Sequence, residues 1–181
     1  MIRALVVSGV AATLALCGPP LPSAAADPPA AGDTAYLIGA CWDPSQPVEQ
    51  QPARIVYGCD LSSVMEDMSW SSWGADGASG TGTDNAVECQ PNCAEGRRLF
   101  NPIIVHAWNP LPADRPGCPA GVEFYSDFTV AYPEAVPPWV KPGTSWTDGV
   151  DYTYVDGLPA VHFSSQGPLS CTPLVPPQTA A

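Results

Sequence analysis

Proline occupies 23 of the 181 positions of this chain, far above the usual share of about 5%. Each proline lacks a backbone donor and breaks the interior of a helix or of a central strand. Long helices are therefore excluded, and 16 glycines add further breaks. Hydrophobic residues still make up 45% of the chain, with 6 Trp, 6 Tyr and 4 Phe. That is enough apolar bulk for a packed core and argues against global disorder. The formal charge of -12 excludes roles that depend on neutralising nucleic-acid phosphates or anionic lipid head groups. The length suits one small, acidic, loop-rich domain.

The N-terminus carries an address. Arg3 supplies a positive start, Ala4 to Leu16 form an apolar run, and Ala24 and Ala26 provide small residues at a cleavage site, the three parts of a secretory signal. The run is too short for the ~20 residues of a bilayer-spanning helix, and no comparable run follows. A lipid anchor on Cys17 is disfavoured because Leu16, not a small residue, precedes it. The expected division is a cleaved signal over 1–26, a flexible Pro/Ala leader over 27–33, one β domain over 34–172 and a flexible tail over 173–181. The mature protein is expected to be secreted, extracellular or associated with the cell envelope, with no integral membrane segment.

Cysteine usage agrees with export. Once Cys17 leaves with the signal, Cys41, Cys59, Cys89, Cys93, Cys118 and Cys171 remain. An even number in an exported chain predicts a disulfide framework, and the simplest pairing joins neighbours: Cys41 with Cys59, Cys89 with Cys93, Cys118 with Cys171. Zinc is the rival for Cys89 and Cys93. It lacks a second close pair of ligands, because His106 and His162 stand alone.

Between the tails, short β-rich runs alternate with Pro and Gly. Tyr36 to Cys41, Arg54 to Cys59 and Met68 to Trp73 are candidate strands, with a bulge or turn where Trp73 breaks the alternation begun at Trp70. The run from Ile103 to Trp108, bounded by Pro102 and Pro110, is apolar on both faces and predicts a central strand. In Val122 to Tyr132, Val122, Phe124, Phe128, Val130 and Tyr132 share one face while Glu123, Asp127 and Thr129 share a wet one. Asp151 to Val155 and Ala160 to Phe163 predict a hairpin around Asp156-Gly157. Only Leu61 to Met68, with Asp60 as N-cap, could begin a helix. The expected fold is all-β, a small disulfide-stapled antiparallel sandwich or partly open barrel with long Pro/Gly-rich loops.

The middle of the chain is the most distinctive part. Trp70-Ser71-Ser72-Trp73-Gly74 leads to Ala78-Ser79-Gly80-Thr81-Gly82 and then to Cys89-Gln90-Pro91-Asn92-Cys93-Ala94-Glu95-Gly96. Read as W-x-x-W-G, A-x-G-x-G and C-x-P-x-C-A-x-G, it resembles small exported actinobacterial, mycobacterial-type proteins whose biochemical function is uncharacterised. The resemblance spans Leu61 to about Pro110; it implies export and a shared structural unit, and assigns no catalytic residue. From the residues alone, Gly74, Gly77, Gly80 and Gly82 predict a tight loop between Trp73 and a strand containing Val87. A phosphate cradle is the rival, and it fails: no Lys follows, and Asp76, Asp84 and Glu88 would repel the anion.

Chemical constellations are thin. No G-x-S-x-G elbow accompanies His106 or His162. His106 shares its strand face with Ile104 and Trp108, which predicts a packed histidine rather than a general base, and His162 between Val161 and Phe163 is read in the same way. Asp148, Asp151 and Asp156 offer oxygen ligands near Gly149 and Gly157, a lesser candidate for calcium, as are Asp76, Asp84 and Asn85 about the glycine run. No cofactor is expected and no metal site is assigned. Trp139 after Pro137-Pro138, and Trp146 in the Gly143 to Trp146 segment, are candidates for ligand-binding aromatics outside regular strands. The functional expectation is a non-enzymatic binding or interaction protein whose partner is a protein or an envelope glycan. The alternative is a small secreted hydrolase with an acidic or His-based site.

Overall fold

The computed structural model describes residues 34–89, 92–113 and 115–172. The expected signal and leader, and the tail over 173–181, lie outside them. Nine strands and no helix form among the described residues: β1 (Ala35–Leu37), β2 (Ile55–Gly58), β3 (Ser63–Gly74), β4 (Gly77–Val87), β5 (Arg98–Pro112), β6 (Val122–Ala131), β7 (Ser145–Thr147), β8 (Val150–Val155) and β9 (Leu158–Phe163). They build one antiparallel sheet in the order β2-β3-β4-β5-β6-β9-β8-β7, curled into a half-barrel. Of the two architectures expected, the partly open barrel is the one formed. Strand β1 pairs in parallel with Val122 to Phe124, and β9 pairs antiparallel with Phe128 to Ala131. Both therefore use the same edge of β6, at its two ends.

The segment expected to start a helix is strand. Val64 and Met65 are buried, and Met65 and Met68 both pack into the main core, so tertiary burial overrides the weak local helix signal. Asp60 caps a turn instead: its Oδ1 accepts from Ser62 N at 3.0 Å in the β2–β3 connection. The expected irregularity near Trp73 is present as a register shift between Trp70 and Ser72, with a second between Glu66 and Ser69. Nor is the glycine-rich stretch a loop. The β3–β4 turn is confined to Ala75 and Asp76, and Gly77 to Gly82 all lie in β4. Strand β4 needs its glycines for space. A Cβ on Gly82 would meet Met68 Sδ at 2.4 Å and Glu66 O at 2.7 Å, and one on Gly80 would meet the Trp70 ring at 2.7 Å.

The main core fills the concave side and includes Met65, Ile103, Val105, Tyr125, Phe128 and Val130. A smaller cluster of Ala35, Leu37, Val122 and Phe124 lies under β1. Tyr125 belongs to the main core although it was absent from the apolar face expected for β6. Tyr125 and Phe128, three residues apart, both enter that core, so the face switches near Ser126, beside Asn109, whose φ is 55°. The Tyr125 hydroxyl donates to Gly74 O at 2.8 Å and accepts from Gly74 N at 3.0 Å, pinning the β3–β4 turn to β6. Burial pushes its pKa to about 12. The side expected to be wet is partly covered too, since Thr129 is buried.

Strand β5 runs through Pro102 and Pro110 rather than stopping at them, and it alternates. Ile103, Val105 and Ala107 face the core, whereas Ile104 and His106 are exposed. The expectation of a packed His106 is therefore corrected: strand periodicity puts it on the convex face. His106→Ala should change stability by no more than about 0.5 kcal/mol, the usual range for a surface substitution. A denaturant midpoint shifted well beyond that would mean that this face is covered in solution.

The β8–β9 hairpin turns at Asp156-Gly157 as expected, with φ of 51° and 81°, the positive pair that a two-residue primed turn requires. All three disulfides form in the expected neighbour pairing: Cys41–Cys59, Cys89–Cys93 and Cys118–Cys171. The close pair Cys89 and Cys93 is thus a staple and not half of a zinc site. The first disulfide joins the segment after β1 to the end of β2. The third joins the β5–β6 connection to the chain beyond β9.

Candidate functional site

Because the sheet curls without closing, its two ends face each other across a cavity of about 350 Å³. Strands β2, β3 and β4 supply one wall; β7, β8 and β9 supply the other. Of the inward residues of β4, Asp84 and Ala86 line the cavity, while the space at Gly80 and Gly82 is filled by Trp70 and Met68. Ala78, Gly80, Gly82, Asp84 and Ala86 alternate on the concave side opposite Ala107, Val105, Ile103, Asn101 and Leu99 of β5.

Asp84 lies at the base of this cavity, fully buried. The Tyr57 hydroxyl donates to its Oδ1 at 2.6 Å and the Tyr132 hydroxyl to its Oδ2 at 2.9 Å. Tyr57 comes from β2 and Tyr132 follows β6, so three distant stretches of chain meet at one carboxylate. Burial pushes the Asp84 pKa above the ordinary carboxylate value, against the two phenolic hydrogen bonds that lower it. Burial likewise pushes both tyrosines well above their ordinary value, reinforced by the nearby carboxylate. Both phenols therefore remain donors throughout the ordinary pH range.

Above this base the walls are aromatic and aliphatic. Phe163 stacks on Phe128 with centroids 4.4 Å apart, and Tyr57 stands edge-on to Phe163 at 5.6 Å, which fixes their orientation. Both tryptophans singled out from the sequence line this cavity. Trp139 is half-buried and lies within a turn in which Val140 N donates to Pro137 O at 3.0 Å. Trp146 is 67% exposed. It lies within the short edge strand β7 rather than in a loop, because Ser145 and Thr147 pair with β8.

The acidic residues proposed for calcium are not brought together. Asp148 precedes β8 and Asp156 follows it, so the length of the strand separates them. Asp151 Oδ1 accepts from Ser145 Oγ at 2.5 Å. Asp84, of the other group, is committed to its two tyrosines. Among the described residues no group of three or more His, Cys, Asp or Glu is placed to hold a metal ion.

The two histidines belong to a row on the convex face. Ser79, His106, Thr129, His162 and Asp151 are successive cross-strand partners from β4 to β8. Ser79 Oγ and His106 Nδ1 are 3.0 Å apart. The Trp108 ring stacks between the two imidazoles, 5.3 Å from His106 and 5.4 Å from His162. His162 Nε2 is 3.5 Å from Asp127 Oδ1, within ion-pair range but without a well-formed hydrogen bond. Among the described residues no carboxylate bonds to His106. Its pairing with Ser79 therefore lacks the third group that orients a general base, and it lies outside the cavity.

Sequence reasoning missed the Tyr57–Asp84–Tyr132 cluster. The only local signal was one acidic residue among small ones in a strand with buried alternate positions. Searches against protein-family models, curated proteins and solved structures return no match.

Proposed function

We propose that this chain is an exported, non-enzymatic binding protein of the extracellular space or cell envelope, and that its half-barrel cavity receives a small ligand or the exposed group of a larger envelope partner. One observation carries the reading: Trp139 and Trp146, from separate segments, converge on the same concave, mostly apolar cavity over a hydrogen-bonded polar base. Such cavities, of roughly 300–1,000 Å³ with few polar groups, are the usual form of small-molecule sites. The three disulfides suit an oxidising compartment, in agreement with the signal-like pattern of Met1 to Ala26. Among the described residues, no helix is long and apolar enough to cross a membrane.

The indole N–H signals give a direct test. In a fragment screen followed by two-dimensional NMR, ligands should shift the Trp139 and Trp146 signals. Those of Trp70 and Trp73 should stay still, because their N–H groups are bonded to Pro52 O at 2.9 Å and Tyr36 O at 3.1 Å. Trp146→Ala should weaken the binding of such ligands about tenfold, the loss expected on removing a stacked aromatic. Fragments that shift Trp108 alone would move the site to the convex face and overturn the proposal.

A further inference from the structure

The cavity has a chemical character beyond being apolar. Its lining includes six aromatic rings, those of Tyr57, Tyr132, Trp139, Trp146, Tyr152 and Phe163, and one charged group, Asp84. Among the described residues, no Lys, Arg or His lines it. Resting on the pocket reading above, we propose that the ligand is an organic cation with an alkylated ammonium group, held against the aromatic walls over the buried Asp84.

An aromatic face carries the negative part of the ring quadrupole, so a cluster of faces without a competing cation attracts a positive group. Two of these rings are phenols that donate to a carboxylate; the donation leaves their rings richer in electrons and strengthens that attraction. Asp84 adds a charge beneath them, screened from water and fully buried, where its field is weakened less than at the surface.

Alkylation follows from hydrogen-bond counting. A primary ammonium brings three donors that need acceptors when desolvated. Each oxygen of Asp84 already accepts from a phenol, Tyr57 or Tyr132, which leaves the carboxylate about two free lone pairs, fewer than three donors need. A quaternary ammonium brings no donors and presents methyl groups, which aromatic walls accommodate. An anion would face Asp84 with no basic residue to offset it. The overall charge of -12 also favours the approach of cations over anions.

The test compares choline with 3,3-dimethylbutan-1-ol, its uncharged isostere in which carbon replaces nitrogen, on the oxidised, signal-free protein. Binding is read from the Trp139 and Trp146 indole signals. Choline should bind at least about tenfold tighter than the alcohol, as expected for a desolvated cation–π site. Asp84→Asn keeps a side chain of the same shape and should remove much of that preference. Trp146→Leu, at a position 67% exposed and so tolerant of change, should weaken choline more than the alcohol. Equal affinity for the two compounds would overturn the cation assignment while leaving the pocket reading intact. Binding of neither would also overturn it, and the fragment screen above then decides the pocket reading separately. Choline shifts confined to residues of the convex face would overturn it as well.

Discussion

Asp84→Ala should cost about 2–5 kcal/mol of folding stability, whereas Asp84→Asn should change it by less than about 1 kcal/mol. The two variants remove the same charge but differ in what they leave behind. Alanine strands the hydroxyls of Tyr57 and Tyr132, which now donate to Asp84 at 2.6 and 2.9 Å, and a buried donor without a partner costs about 1–3 kcal/mol. Asparagine keeps an acceptor for one phenol, and the other hydroxyl can rotate to accept from the amide. It also relieves the burial of a charge. The pH dependence separates these effects. Burial raises the folded-state pKa of Asp84 above its ordinary value, so the folded protein binds this proton more readily than the unfolded chain does. Ionised Asp84 therefore costs stability above its folded pKa, and that cost disappears as pH falls toward the unfolded value near 3.8. Denaturant midpoints of the wild type measured against Asp84→Asn should show the wild type gaining ground as pH drops through this interval. A difference that is flat with pH, or a mild Asp84→Ala, would mean that the carboxylate is solvated and that the cavity base is not as described.

That cluster also marks where sequence reasoning stops. Tyr57, Asp84 and Tyr132 are separated by tens of residues, and only the curl of the sheet makes them neighbours. A search for local motifs sees a strand tyrosine, an acidic residue that looks like a turn former, and a tyrosine at a strand end. Features set by local backbone chemistry were legible. The Asp156-Gly157 turn needs two positive φ values and has residues that supply them. The neighbour pairing of cysteines was legible too, although only Cys89–Cys93 closes a short local loop; Cys41–Cys59 and Cys118–Cys171 are brought together by the fold. Features set by packing were not legible. Gly77, Gly80 and Gly82 read as a loop because glycine permits many conformations, yet here the latter two make room for Trp70 and Met68 across a hairpin. His106 read as core because Ile104 and Trp108 share its face. Strand periodicity gives two faces without saying which is concave, and Ile103, Val105 and Ala107 took the inside. Trp139 and Trp146 were found because residues next to Pro and Gly often reach a surface. That they face one cavity is a property of the half-barrel.

The open edge of that half-barrel makes the disulfides matter. A closed barrel locks its strands by pairing all of them, but here β2 and β7 end the sheet without pairing to each other. Cys41–Cys59 ties the β2 edge to the β1 segment, and Cys118–Cys171 ties the β5–β6 connection to the chain after β9. With sequence separations of 18, 4 and 53, restriction of the unfolded chain makes the three bridges worth about 3, 2 and 4 kcal/mol in the chain-entropy account. Their sum is comparable with the whole net stability of about 5–15 kcal/mol typical of a domain this size. Full reduction should therefore unfold the protein or lower its denaturant midpoint steeply. The Cys118→Ser/Cys171→Ser pair should cost more than Cys89→Ser/Cys93→Ser, because it frees the longer loop. Midpoints of oxidised, reduced and pairwise-substituted protein give the comparison. Equal midpoints with and without reductant would show that the curled sheet holds itself together without its staples. A larger loss from the Cys89–Cys93 pair would instead place the critical constraint at the rim of the cavity, which Cys89 lines.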